Sequence, residues 1–321
     1  MTSPRRISSF LALAFGTTWG IAGIGHLFGV DVSHPAYTLV AALCMFGPAL
    51  AAVVQWRWLE RKPWSALGLQ PARVRWPFLL WTVVLALCII PLCMVVILVL
   101  GDTLHVSHFG HVEVSGARLA TSVAAMLEEQ GLDAMKGGAA AMGAWPGGAI
   151  LIVLLLFAVL AAFTVNLPFM LGEELGWRGF LYEATSGWSP AKRIAFTGPV
   201  WGIWHAPLIM MGHNYPGYPF MGVFFMSVFC TLLALLFDWS RTRASSVWAP
   251  CVLHGIINGS AGAIALFAWD GHVLVASPAG VAGFVALVIL GGVLLLLDGT
   301  YRRSFFRVPS EAPSPEPNFA S

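Results

Sequence analysis

Seven stretches of this chain contain no Asp, Glu, Lys or Arg: residues 7–30, 32–56, 76–101, 137–172, 194–237, 244–269 and 271–297. A helix needs about 20 apolar residues to cross a bilayer, so every stretch is long enough to span one. Six hold one span each. The 194–237 stretch holds two, divided by the turn-forming run Gly212-His213-Asn214-Tyr215-Pro216-Gly217-Tyr218-Pro219. The expectation is an all-α polytopic membrane helix bundle of about eight transmembrane helices, near 8–29, 36–56, 76–100, 148–170, 194–212, 219–237, 245–268 and 276–297. Composition points the same way: 10% of residues are charged, 58% are hydrophobic, and the mean hydropathy is +0.79. Soluble domains carry about 25% charged residues. The shortfall excludes a soluble enzyme, a nucleic-acid binder and a disordered tail protein, and a net charge of +2 advertises no anionic partner.

Basic residues near span ends stay on the cytoplasmic side. With the N-terminus inside, the two outer-side basic residues are Arg118 and Lys136, which leaves 15 of the 17 Lys and Arg inside. Both termini are therefore expected in the cytoplasm, and the first apolar run reads as a membrane helix rather than a signal peptide because no small-residue cleavage site follows it. Residues 1–300 read as one transmembrane domain with a motif-bearing core at 165–265. The outer loop 102–147 carries an amphipathic helix with Leu119, Val123, Met126 and Leu127 on one face. Residues 301–321, rich in Pro, Ser and Glu, read as a disordered cytoplasmic tail. Cys44, Cys88, Cys93, Cys230 and Cys251 all lie in apolar runs and behave as small hydrophobes.

Ionisable groups inside membrane spans are expensive and mark function. Here they are Glu173 and Glu174 at the inner end of the fourth span, with Arg178 beyond them, then His205 in the fifth, and His254 with Asn258 in the seventh. Glu174 and Arg178 are one helical turn apart and can pair; Glu173 is rotated by about 100° and faces a different partner. His254 and Asn258 are also one turn apart and point into one volume. Gly198-Pro199-Val200-Trp201-Gly202 and Gly255-Ile256-Ile257-Asn258-Gly259 are small-residue patterns that let helices pack closely, and Pro168, Pro199, Pro207 and Pro250 interrupt backbone bonding near the polar groups.

These residues resemble the CAAX-protease and bacteriocin-processing membrane endopeptidases, the CPBP or Abi family. Its E-E-x-x-x-R motif is similar to Glu173, Glu174 and Arg178, with Trp177 and Gly179-Phe180-Leu181 following the family pattern. Its second motif, an aromatic residue and a histidine, resembles Trp201-Gly202-Ile203-Trp204-His205, although Phe is the usual aromatic. Its H-x-x-x-N motif is matched by His254 and Asn258, preceded by a family-like Trp248-Ala249-Pro250. The resemblance implies a peptide-bond hydrolase with its active site inside the membrane of a bacterial or archaeal-type cell. The substrate it implies is a membrane-embedded or membrane-associated peptide, of CAAX type or leader-peptide type.

Peptide hydrolysis needs an activated water and donors for a developing oxyanion, and no Ser or Cys is paired with a base at these depths. The expected division of labour has Glu173 with His205 deprotonating and orienting the water, His254 and Asn258 stabilising the oxyanion, and Glu174 with Arg178 fixing the geometry. The resemblance leaves the cofactor open between none and zinc, the latter held by His205, His254 and Glu173. A second function class is a transporter or proton relay using the same carboxylate and imidazole groups; a third is a non-catalytic membrane scaffold. On the outer side, His105, His108 and His111 form a three-residue spacing that reads as an exposed polar loop, with a metal site as its less favoured alternative.

Overall fold

The computed structural model describes residues 4–307. It is a helical bundle; the sole sheet among the described residues is a two-residue antiparallel ladder of His111–Val112 with Ala268–Trp269. Five helices are long and apolar enough to cross a membrane: α1 (Pro4–Leu27), α2 (Tyr37–Leu59), α3 (Trp76–Thr103), α9 (Pro219–Arg243) and α10 (Trp248–Phe267). Between α3 and α9 lie the outer helix α4 (Gly116–Glu129), then α5 (Gly147–Phe163), α6 (Leu167–Glu174), α7 (Pro190–Trp204) and α8 (Ala206–Met210). Helices α11 (Val281–Leu297) and α12 (Gly299–Ser304) follow α10.

Two of the spans expected from the sequence are broken. The apolar run at 148–170 stops at Phe163 and restarts at Leu167, where Pro168 opens α6 in the first turn and cannot donate to the preceding carbonyls. Asn166 fills the gap by donating from Nδ2 to the Gly255 carbonyl of α10 at 3.2 Å. The run at 194–212 breaks at His205, because Pro207 has no N–H for the ladder. The indole of Trp19 from α1 donates to the Trp204 carbonyl beside this break at 3.1 Å. At the second break a side chain from another helix reaches main chain that lipid could not satisfy; at the first, the side chain at the break ties the chain to α10.

Glycines set the approach of the helices that carry the polar residues. A Cβ on Gly202 of α7 would sit 2.7 Å from the Ser227 nitrogen of α9, and one on Gly255 would sit 2.8 Å from Ala162 Cα of α5. Gly172 and Gly176 flank the glutamate pair in the same way: Cβ atoms there would lie 2.8 Å from the Met45 carbonyl oxygen and 2.7 Å from that of Pro48, both on α2. Each contact is main chain against main chain, closer than any side chain allows.

The outer loop holds α4, capped by the Ser115 hydroxyl accepting from the Arg118 N–H, with Leu119 buried on its inner face. The chain does not become irregular at residue 301. Gly299–Ser304 is helical, and Tyr301 is buried and donates to Asp238 Oδ1 at 2.6 Å. The expected tail from 308 onward lies outside the described residues.

Candidate active site

The sequence places the glutamate pair at the inner end of the fourth span, as ionisable groups kept with the apolar bundle. The structure puts them in the last turn of α6 and buries both, with Glu173 3% exposed and Glu174 fully buried. Past Glu174 the helix widens into an i→i+5 turn, Leu175–Leu181, that carries Arg178. Such turns are rare and often found at functional sites.

The two carboxylates have different company. Glu174 accepts from Arg178 Nη1 at 3.1 Å (Oε1) and 3.0 Å (Oε2), and its Oε1 also lies 2.8 Å from His254 Nδ1. The Arg178 guanidinium is in turn held between aromatic faces, 4.1 Å from the Trp201 ring and 4.2 Å from that of Phe237. Glu173 receives one protein hydrogen bond among the described residues, from the indole N–H of Trp201 to Oε2 at 3.1 Å. Its Oε1 is left for the cavity that Glu173 lines.

That cavity has a volume of about 180 Å³, and Glu173, Trp201, His205, His254 and Asn258 all line it. Three helices, α6, α7 and α10, thus deliver the expected residues to one place. His205 sits at the break between α7 and α8, and its Nδ1 lies 2.8 Å from the Trp201 carbonyl oxygen, an arrangement in which Nδ1–H donates and Nε2 carries the free lone pair. His254 likewise spends Nδ1 on Glu174. Asn258 is one turn further along α10 and points its amide past Met170, 3.8 Å from Sδ. Much of the remaining wall is apolar, from Met45, Leu208, Met226, Phe229, Leu233 and Ile257.

Trp201 holds the group together. Its N–H reaches Glu173, its carbonyl holds His205, its ring lies over Arg178, and its centroid is 5.6 Å from the ring of His254. The departure from Phe at this motif position therefore has a physical content: Phe has no N–H to give Glu173.

Three further cavity residues escape sequence reasoning. Trp204 is buried beside His205 and its indole N–H has no partner among the described residues. His213 and Asn214 belong to the run expected to be only a turn, yet both line the cavity. The presence of His and Asn directly after an interrupted membrane helix is the one signal that points to them.

The zinc set fails a geometric test. Among the described residues no three His, Cys, Asp or Glu side chains are gathered closely enough to hold a metal ion, so His205, His254 and Glu173 do not form a ready triad. The outer histidines are also dispersed. His111 Nδ1 pairs with Asp102 Oδ1 at 2.6 Å, whereas the His108 ring packs against that of His272.

Residues 147–260 match the family described as Type II CAAX prenyl endopeptidase Rce1-like. This segment belongs to the CAAX-protease family. It spans α5 through the first part of α10 and so contains every glutamate, histidine and asparagine of the cavity motifs. No curated protein matches the chain. The family and the apolar helices together make this an integral membrane protein with the core of a protease.

Proposed function

We propose that the chain is an intramembrane endopeptidase that cleaves membrane-associated peptides of CAAX or leader-peptide type, in a bacterial or archaeal-type plasma membrane, with a water activated by Glu173. The observation that carries this reading is the unequal treatment of two adjacent buried carboxylates. Glu174 accepts from Arg178 on both oxygens and lies against His254 Nδ1, so it is committed to holding those two side chains. Glu173 keeps one oxygen toward a cavity that also holds two imidazoles and an amide.

In the proposed reaction, water lies between Glu173 Oε1 and His205 Nε2. Glu173 takes its proton as the oxygen attacks the scissile carbonyl, and His205, fixed by the Trp201 carbonyl, orients it through Nε2. The tetrahedral oxyanion is met by the Asn258 amide N–H and by His254, which as an imidazolium donates Nε2–H while its Nδ1–H is on Glu174. Glu173 then returns the proton to the leaving amine. Glu174 and Arg178 act as positioning residues, holding His254 in one orientation. No step in this scheme is routed through a metal. The apolar wall suits aliphatic side chains or a prenyl group beside the scissile bond.

The test is cleavage of a farnesylated reporter peptide by the full chain in liposomes. Loss of a general base costs about 10²- to 10⁴-fold, so Glu173→Gln should lose cleavage by that factor while staying folded. Wild-type rates from Glu173→Gln would remove Glu173 from the chemistry. Proton flux across the vesicles, with no cleavage of prenylated or leader-type peptides, would favour the transporter instead.

A further inference from the structure

Three arginines of the described chain are buried: Arg178, Arg193 and Arg241, at 3%, 6% and 7% exposure. A guanidinium taken out of water needs a counter-charge. Arg178 has Glu174, and Arg193 is paired with both oxygens of Asp238. Arg241 has no carboxylate within salt-bridge distance among the described residues. Its one hydrogen bond runs from Nε to the Arg178 carbonyl at 2.8 Å, and its guanidinium lies 4.5 Å from the Tyr182 ring.

The Arg241 side chain lines an open pocket of about 440 Å³ at the arginine-rich end of the bundle, the end that the basic-residue bias assigns to the cytoplasm. The other polar lining is Arg73, Arg75, Ser65, Gln70 and Ser245, with no Asp or Glu. Arg73 and Arg75 are exposed and form no ion pair among the described residues. The site is built rather than incidental: the two loops that form it are stitched by Val247 N–H to the Gly68 carbonyl at 3.1 Å and Arg75 N–H to the Ala244 carbonyl at 3.0 Å. Gly68 has a φ of +78° and is pressed against the Arg241 guanidinium, where a Cβ would fall 2.7 Å from Nη2. Arg75 is also the N-cap of α3 and its side chain makes no capping bond, so the positive end of a long helix adds to the same potential. Three guanidiniums, two hydroxyls, an amide and a helix N-terminus form a site for a compact, multiply accepting anion.

We propose that this pocket binds a phosphate group, presented by the headgroup of an acidic phospholipid or by inorganic phosphate. Trp64 and Trp76, 40% and 61% exposed, flank the pocket residues in sequence and mark the level of lipid headgroups. The bound phosphate supplies the counter-charge that Arg241 lacks. Because Arg241 Nε carries the Arg178 carbonyl, the occupant is joined through Arg241 and Arg178 to Glu174 and His254.

The experiment uses the purified full chain, the wild type beside Arg73→Gln/Arg75→Gln and Arg241→Gln. Native mass spectrometry counts retained phosphatidylglycerol against phosphatidylcholine, and thermal unfolding is followed with phosphatidylglycerol or with inorganic phosphate against chloride at matched ionic strength. The double variant is expected to bind phosphatidylglycerol about 30-fold more weakly, from two arginines of ordinary headgroup strength, and to lose the rise in Tm that the wild type shows. A rise with phosphatidylglycerol alone assigns the phosphate to lipid; an equal rise with inorganic phosphate assigns it to the free ion. The double variant touches nothing in the catalytic group, so it decides the matter even where Arg241→Gln fails to fold. Equal lipid retention and equal Tm shifts in wild type and double variant would overturn the proposal. Neither readout depends on the protease reading.

Discussion

Replacing Glu174 by Gln preserves its shape and removes its charge, and this separates the positioning carboxylate from the reacting one. In the wild type the Glu174 and Arg178 side chains are 0% and 4% exposed, and Glu174 is the sole carboxylate bonded to Arg178 among the described residues. Removing one partner of such a pair costs about 3–5 kcal/mol. The Trp201 and Phe237 faces remain on Arg178 in both proteins and cancel in the difference, and the Gln carbonyl still accepts one bond, so the lower end, about 3 kcal/mol, applies. At about 2.1 cal/mol/K of unfolding entropy per residue, a chain of 321 residues shifts by about 1.5 °C per kcal/mol, so Tm should fall by about 4–5 °C. Intrinsic fluorescence of the 14 tryptophans during heating in detergent reads this directly. Glu174→Gln/Arg178→Met, which removes both charges, should regain at least half of the loss, because what destabilises the single variant is a buried charge without a partner. A Glu174→Gln protein melting within about 1 °C of wild type, or a double variant less stable than the single one, would refute the assignment.

Trp201→Phe restores the usual family aromatic but removes the donor to Glu173. A hydrogen bond to a charged group is worth about 1.5–3 kcal/mol, so kcat/KM for the reporter peptide should fall by about 10- to 100-fold with the fold retained, as circular dichroism would confirm. Gly255→Val should force α5 away from α10 and cost about 2–3 kcal/mol in thermal unfolding, since a Cβ there already meets Ala162 at 2.8 Å. Gly148→Ala, with nothing within 4 Å, should leave Tm unchanged. Protein depleted of metal by a chelator should keep its cleavage rate; recovery of activity by zinc alone would reverse the metal-free mechanism.

Much of the site is legible in the sequence because its key relations are local. Glu174 with Arg178 and His254 with Asn258 are each one turn apart, and helical periodicity alone puts each pair on one face. The broken spans are harder. Pro168 and Pro207 announce an interruption, but the contacts that join each break to another helix, Asn166 to Gly255 and Trp19 to Trp204, link residues 89 and 185 positions apart in the chain. Hydropathy reads through such breaks, and so it cannot report that the glutamates at the end of α6 are buried among other helices. The roles of Trp201, His213 and Asn214 likewise depend on which helix lies opposite, which no periodicity reports. The buried arginines are the clearest instance: Arg178 has its acid four residues away, Arg193 has its acid 45 residues away, and Arg241 has none among the described residues.

The glycine contacts of α6 determine how error accumulates in this molecule. Gly172 and Gly176 place the glutamate helix against the backbone of α2 with no rotatable bond in between. His254 is then located from α6 through Glu174, and His205 through Trp201 and Glu173. One rod is the datum from which the other catalytic positions are measured. A bilayer that thickens, thins or tilts the outer helices can shift the periphery without adding to the uncertainty at the centre, because the tolerances start from the same origin rather than compounding from helix to helix.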